Sequence, residues 1–237
     1  TDEPTRMCST SRASEVSDIV SAARAIDAPA KRQGWLAETK VFFKDVDGIT
    51  TQSQGFTTKY EFEKQRGSYR AYGVEFLARK KIHQFSSWFS YSYLKNTYTF
   101  EALQEIEFPS NFDITHSLTL GGTFNNQNWK ISAGLNYRTG KPTSIPLQNN
   151  EVSDGSINFD NANNSRVIDY FRIDASLLYS FKFDSNARLE IGGSVWNISN
   201  KQNIINNFYR VDALDNALQF SRFSLGLTSN AVIRFYF

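Results

Sequence analysis

The sequence predicts an all-β fold, an antiparallel transmembrane β-barrel with about eight strands present, and three observations carry the prediction. Side chains alternate between apolar and polar with a period of two through most of residues 35–237. The links between alternating segments are short and long in turn, and the long ones are rich in Asn, Asp, Gly and Ser. Aromatic residues make up 15% of the chain and gather near segment ends (Trp35, Tyr93, Tyr98, Trp129, Tyr137, Tyr236), where the girdles of a membrane barrel belong. No stretch approaches the roughly 18–20 apolar residues of a membrane helix, and mean hydropathy is −0.45. These values exclude a helical span. They leave room for a barrel, because half of each barrel strand faces a polar lumen.

Residues 1–34 differ from the rest and read as an atypical N-terminal segment, a short helix or disordered chain. They are free of aromatics, and Val16, Ile19, Val20, Ala23 and Ile26 stand at helical spacing. They lack the continuous apolar run of a secretory signal, so an exported protein would appear here as a mature chain or a fragment. Cys8 is the single cysteine and excludes an intramolecular disulfide framework. A formal charge of +2 gives no bulk attraction to nucleic acid, and no nucleic-acid partner is expected.

From Trp35 onward the strands follow in order. WLAETKVFF sends Trp35, Ala37, Thr39, Val41 and Phe43 one way and Glu38, Lys40 and Lys44 the other. The next has Tyr72, Val74, Phe76 and Ala78 on one face, and the third sets Phe85, Phe89, Tyr91 and Tyr93 against Ser86, Trp88, Ser90 and Ser92. Leu118, Leu120, Gly122 and Phe124 form the fourth face, and Trp129, Ile131, Ala133, Leu135 and Tyr137 the fifth. The sixth and seventh carry Phe171, Ile173, Ala175, Leu177, Tyr179, Phe181 and Phe183, then Leu189, Ile191, Gly193 and Val195. The last alternation runs about fifteen residues, from Phe223 through Leu225, Leu227, Ala231, Ile233 and Phe235 to Phe237.

The short links are RKKIH, NNQN and DSNA, and the long ones cover about 48–68, 99–112, 140–166 and 200–221. Short periplasmic turns and long extracellular loops are the asymmetry of outer-membrane barrels, so the apolar faces are expected to meet outer-membrane lipid. The terminal strand then runs inward and ends at the periplasmic rim. Its apolar, aromatic-ended edge must pair for a barrel to close, and Phe237, Phe235 and Ile233 resemble the terminal signature that the barrel assembly machinery recognises.

The stretches ETKVFFKDVDGIT, YRAYGVEFLARK, FDITHSLTLGGTF, ISAGLNYRTGKP, SRVIDYFRIDASLLYSF, LEIGGSVWNISNKQN and SLGLTSNAVIRFYF resemble, in this order, the C-terminal barrel region of TonB-dependent outer-membrane transporters of the Bacteroidetes type. The resemblance covers roughly residues 35–237. It implies a Gram-negative outer membrane and uptake of a siderophore, glycan or similar large solute through a plugged barrel of about 22 strands. It also implies TonB as a partner through an N-terminal region this chain lacks, and admits a surface lipoprotein as a further partner. The polar face, mainly Ser, Thr, Gly and Asn, suits a wide wall better than the interior of a small closed barrel. A stand-alone small barrel serving as adhesin or anchor is the alternative, and an outer-membrane enzyme a third reading.

No enzymatic site is expected. His116 and Ser117 are neighbours in a strand and point to opposite faces, so they cannot act as base and nucleophile together. His116 is expected at the loop-side interface and His83 in a solvated turn. The segment 149–166 carries Asp154 and Asp160 among carboxamides, without calcium-loop spacing, and reads as a flexible surface loop. Neither metal nor cofactor is expected, and no residue is singled out for substrate contact. Arg79, Lys80 and Lys81 read as a membrane-edge anchor.

Overall fold

In the computed structural model the described residues are 34–50, 66–100, 107–159, 161–183 and 187–237. The segment 1–34 read from the sequence lies outside them except for Gly34, and so does Asp160. Eight long strands build one antiparallel sheet: β1 (Trp35–Thr50), β2 (Arg66–Ile82), β3 (Phe85–Thr99), β4 (His116–Asn125), β5 (Trp129–Arg138), β6 (Tyr170–Lys182), β7 (Arg188–Trp196) and β8 (Thr228–Tyr236). Each pairs with its sequence neighbour, with Phe108–Pro109 added beside β3. Among the described residues β1 and β8 do not pair with each other, so the sheet is open.

Turn chemistry sets the register at one end. His83, at φ 50°, and Gln84 connect Ile82 to its partner Phe85. Asn126 Oδ1 accepts from the Asn128 and Trp129 amides at 3.0 and 2.8 Å, closing the β4–β5 turn.

That register joins the separate alternations into two continuous faces. Phe89, Leu120, Leu135 and Ile173 form one cross-strand row, and Tyr179, Ile191 and Ile233 another. On the opposite face Ser86, Thr123, Ser132, Ser176, Ser194 and Asn230 run across the sheet, with the Thr123 and Ser132 hydroxyls 3.0 Å apart. Gly121 is required on this face, because a Cβ there would lie 2.1 Å from Cζ2 of the Trp88 indole.

Packing is unequal along the strands. At the long-loop end Tyr98, Phe100 and Phe108 are buried together, with Ile49 and Tyr69 against them. Among the described residues nothing covers the apolar face of the sheet in this way, and Ile233 is 73% and Phe235 56% exposed. A contiguous apolar surface of this extent requires another phase, and lipid supplies it.

The last alternation is not one strand. Phe223 belongs to a hairpin, Ile204–Val211 with Ala217–Phe223, where it pairs with Ile204. The Ser224 amide then donates to Asn203 O at 2.9 Å and the Leu227 amide to Asn200 Oδ1 at 3.0 Å. These bonds turn the chain, so the terminal strand keeps only nine residues. Period two survived in the sequence because two extended elements happen to share a parity.

Candidate functional site: the long-loop end and the polar face

The sequence could not show how the loops at the long-loop end hold one another. Asp113, fully buried, accepts the Asn96 amide at 2.8 Å and forms an ion pair with Arg166. The Arg166 guanidinium also donates to the carbonyls of Asp113 and Gly140 at 2.6 and 2.9 Å. A buried carboxylate needs this full set of donors, since desolvation alone would make its charge costly. Asn163, in a left-handed conformation at φ 55°, donates to Pro109 O and Asn111 Oδ1, each at 2.8 Å. The described residues of 149–166 carry regular pairing where the sequence reads as a flexible loop: Val152–Ser153 forms a hairpin with Ser156–Ile157, and Ser165–Arg166 pairs with Pro142–Thr143. Asp154 stands in the tip of that hairpin at φ 52°.

A second set of anchors fixes the chain between β7 and β8. The Asn203 carboxamide accepts from Phe171 N and donates to Phe171 O, both at 2.9 Å, and so imitates a strand partner for β6. Buried Asn197 donates to the carbonyls of Lys201 and Leu225 at 3.0 and 3.2 Å. Lys201 Nζ reaches Asp169 O at 2.7 Å. Asp169 accepts the Tyr137 hydroxyl at 2.7 Å and the Gly140 amide at 2.9 Å. Those two hydrogen bonds, the Tyr137 one first, hold its carboxyl below the usual carboxylate range.

Between these loops lies a cleft of about 570 Å³, whose walls include Phe112, Lys141, Thr143, Phe159, Asn206 and Tyr209. Phe159 and Tyr209 meet edge to face at 6.1 Å, which ties the hairpin to the preceding loop. Burial, and then the nearby Arg138 charge, push the Lys141 amine below the ordinary lysine range. On the adjoining polar face the Arg138 guanidinium lies 4.6 Å from the Tyr170 ring centroid, and Arg172 pairs with Asp174 at 2.8 Å. Aromatic faces, carboxamides, hydroxyls and one amine make a surface suited to holding a polar solute.

The sequence-derived sites are placed as follows. Phe237, Phe235 and Ile233 stand at the short-turn end on the apolar parity; Phe235 pairs with Leu189, and the Phe235 and Phe237 rings are 6.0 Å apart. His116 opens β4 at the long-loop end, with Nδ1 2.8 Å from the Tyr91 hydroxyl and its ring 5.5 Å from Tyr93. Ser117 is on the other face, opposite Ser92. Lys80 lies 4.0 Å over the Trp35 ring, as an edge anchor would. No group of three or more His, Cys, Asp or Glu arranged for a metal occurs among the described residues.

Comparison with known proteins adds two findings. The family described as TonB dependent receptor-like, beta-barrel, matches residues 28–198. A solved structure described as ferric citrate transporter FecA in the unliganded form superposes with a TM-score of 0.60 at 18% identity. That match covers 85% of this chain and 29% of the solved one, and at this identity it speaks for the fold alone. No curated protein matches.

Proposed function

The chain belongs to the TonB-dependent receptor family as part of its β-barrel, and from that premise we propose that it forms the C-terminal wall and extracellular loops of a nutrient transporter. The family places it in the outer membrane of a Gram-negative bacterium. One observation carries the proposal: a single apolar face runs unbroken across registered strands while the long loops gather at one end. Such a wall has lipid on one side and an aqueous or plugged interior on the other. The open sheet, with β1 and β8 unpaired to each other, supports a share in a larger barrel over a self-contained small one.

In this reading solute is met by Phe112, Lys141, Phe159, Asn206 and Tyr209 at the extracellular mouth. A siderophore, another chelate or a glycan offers the size and hydrogen-bonding groups that such walls hold. The solved relative is described as a ferric citrate transporter, and a solute of that general kind fits the mixture of amine, carboxamide and aromatic groups. TonB would act through a region of the longer protein outside this chain. The barrel assembly machinery would read Phe237, Phe235 and Ile233, and a surface lipoprotein could sit over the loops.

The test uses the full-length parent protein with Phe112→Ser and Tyr209→Ser. TonB-dependent uptake of its solute should fall about tenfold, the effect of roughly 1.4 kcal/mol of lost contact, with normal amounts of protein in the outer membrane. Unchanged uptake would remove this cleft from the transport path.

A further inference from the structure

Where the polar face runs into the cleft at the long-loop end, two cations stand close together and no carboxylate answers them. Arg138 ends β5, and Lys141 follows in the next few residues. Lys141 is in the wall of the large cleft, and Arg138 lines a smaller one of about 230 Å³ on the adjoining face. Neither has an ion-pair partner among the described residues. The carboxylates of the surrounding elements are committed elsewhere. Asp169 accepts the Tyr137 hydroxyl and the Gly140 amide, Asp113 pairs with Arg166, and Asp174 pairs with Arg172 at 2.8 Å. No Asp or Glu is among the described residues that line either cleft. The two charges also feel one another, since burial first and then Arg138 hold the Lys141 amine below the ordinary lysine range.

The geometry of Arg138 shows what would answer that charge. Its Cζ lies 4.6 Å over the Tyr170 ring centroid. A guanidinium resting on a ring face spends none of its in-plane N–H donors on that contact. The fork that remains suits a planar oxyanion, which it can hold through two parallel hydrogen bonds. Ser117, Arg138 and Tyr170 are partners in one row across β4, β5 and β6, so a hydroxyl stands beside the guanidinium on the same face. Lys141 adds a second positive charge at the neighbouring wall. Like charges set near each other repel, and a bound anion turns that repulsion into attraction, which an uncharged solute cannot do. A lipid headgroup is excluded as the source, because Ser117 and Arg138 have the parity opposite to Leu118, Leu135 and Tyr137 on the apolar face.

We propose that Arg138 and Lys141 form an oxyanion site that selects acidic solutes, the Arg138 fork gripping a carboxylate or phosphate group of the solute and Lys141 supplying the second charge. The inference rests on the transporter reading and narrows it. Among siderophores, other chelates and glycans, those that bear an acidic group are taken and their uncharged counterparts are not. Discrimination then belongs to two cations, while Phe112, Phe159 and Tyr209 provide contact area without regard to charge.

The full-length protein in isolated outer membranes provides the test, with 4-sulfophenyl isothiocyanate as an anionic probe and phenyl isothiocyanate as its uncharged counterpart. In each the lysine nitrogen adds to the isothiocyanate carbon and its proton passes to the reagent nitrogen, giving a thiourea that mass spectrometry assigns to Lys141. The ratio of the two labelling rates reports the local potential, because the basicity of the amine affects both reagents alike. That ratio should be about tenfold higher in the unmodified protein than in Arg138→Gln, the scale on which a cleft of one sign concentrates counter-ions. Arg138→Lys should retain it, and both variants should stay heat-modifiable. Sodium citrate or sodium phosphate should slow labelling of Lys141, and maltohexaose should not. An equal ratio in the unmodified protein and Arg138→Gln would overturn the inference, whether the field is absent or an acidic group elsewhere in the longer chain already neutralises it. Protection by maltohexaose and by neither anion would do the same. Failure of the transporter reading would show separately, as absent TonB-dependent uptake with the labelling ratio intact.

Discussion

Leu120 and Thr119 are neighbours midway along β4, and one substitution at each tests which face meets lipid. Leu120 is 47% exposed on the apolar face, between Phe89 and Leu135. Thr119 lies on the polar face between Ser90 and Asn136, and its hydroxyl donates to Asn136 Oδ1 at 3.3 Å. Leu120→Arg sets a guanidinium near the bilayer midplane, at a cost of ~2–4 kcal/mol. Thr119→Arg forfeits one long hydrogen bond, a loss of ~0.5–1.5 kcal/mol. It also brings a cation to a cleft shared with Arg138 and Arg172, where water or a polar plug screens most of the repulsion. The leucine variant should therefore be the less stable by ~0.5–3.5 kcal/mol, about 2 kcal/mol at the middle of the two ranges. Denaturant unfolding of the folded parent barrel in lipid vesicles measures the difference through the midpoint at constant slope. Equal losses, or the reverse order, would mean that this strand does not show Leu120 to lipid, and a soluble sandwich would have to replace the barrel.

Deleting Phe237, or replacing it by Asp, should lower the amount of heat-modifiable parent barrel in outer membranes; undiminished amounts would count against an assembly role for the terminus. Expressed alone behind an added signal peptide, the chain should support no TonB-dependent growth on any tested nutrient, and growth would contradict its reading as part of a larger transporter. Asp113→Ala should loosen the long-loop end, because Arg166 and the Asn96 amide lose their shared acceptor. The expected local cost is ~1–3 kcal/mol, seen as faster hydrogen exchange at Asn96 with β4 and β5 unaffected. Asp169, whose carboxyl is held low by the Tyr137 hydroxyl and the Gly140 amide, stabilises the loop anchor above the ordinary carboxylate range near 3.9. That stabilisation is lost as pH falls through the depressed value. The Gly140 amide resonance should titrate below the ordinary range, and titration at or above it would refute the assigned cause.

The wall was legible because one physical rule governs each of its residues. A strand between lipid and a polar interior must alternate, so the parity of Val74, Leu120, Ile131, Leu177 and Ile191 could be read singly, and the register then brought them onto one face. The same rule misled at residues 223–237. Alternation reports two environments and says nothing of continuity, so a hairpin strand ending at Phe223 and a wall strand beginning at Thr228 read as one. The break is made by Asn200 and Asn203, more than twenty residues earlier in the chain, through bonds to Leu227 and Ser224 that leave no periodic trace.

The long-loop end obeys a different logic, and for that reason its sites were hidden. No uniform solvent disciplines its side chains; each buried polar group must find a particular partner. Asp113 meets Arg166 across 53 positions, and Asn203 meets Phe171 across 32, each pairing permitted but none demanded by local sequence. The composition rich in Asn and Asp that marked these links as loops is the material from which they are held together, since a carboxamide can stand in for a missing strand on both its donor and acceptor sides. In the proposed transport role, long loops anchored in this way would offer a solute a preformed surface. The Asp113–Arg166 pair, through the Arg166 bond to Gly140 O, holds the chain that leads into Lys141 at the wall of the cleft, so in the proposed role Asp113→Ala should lower solute affinity without removing a lining residue.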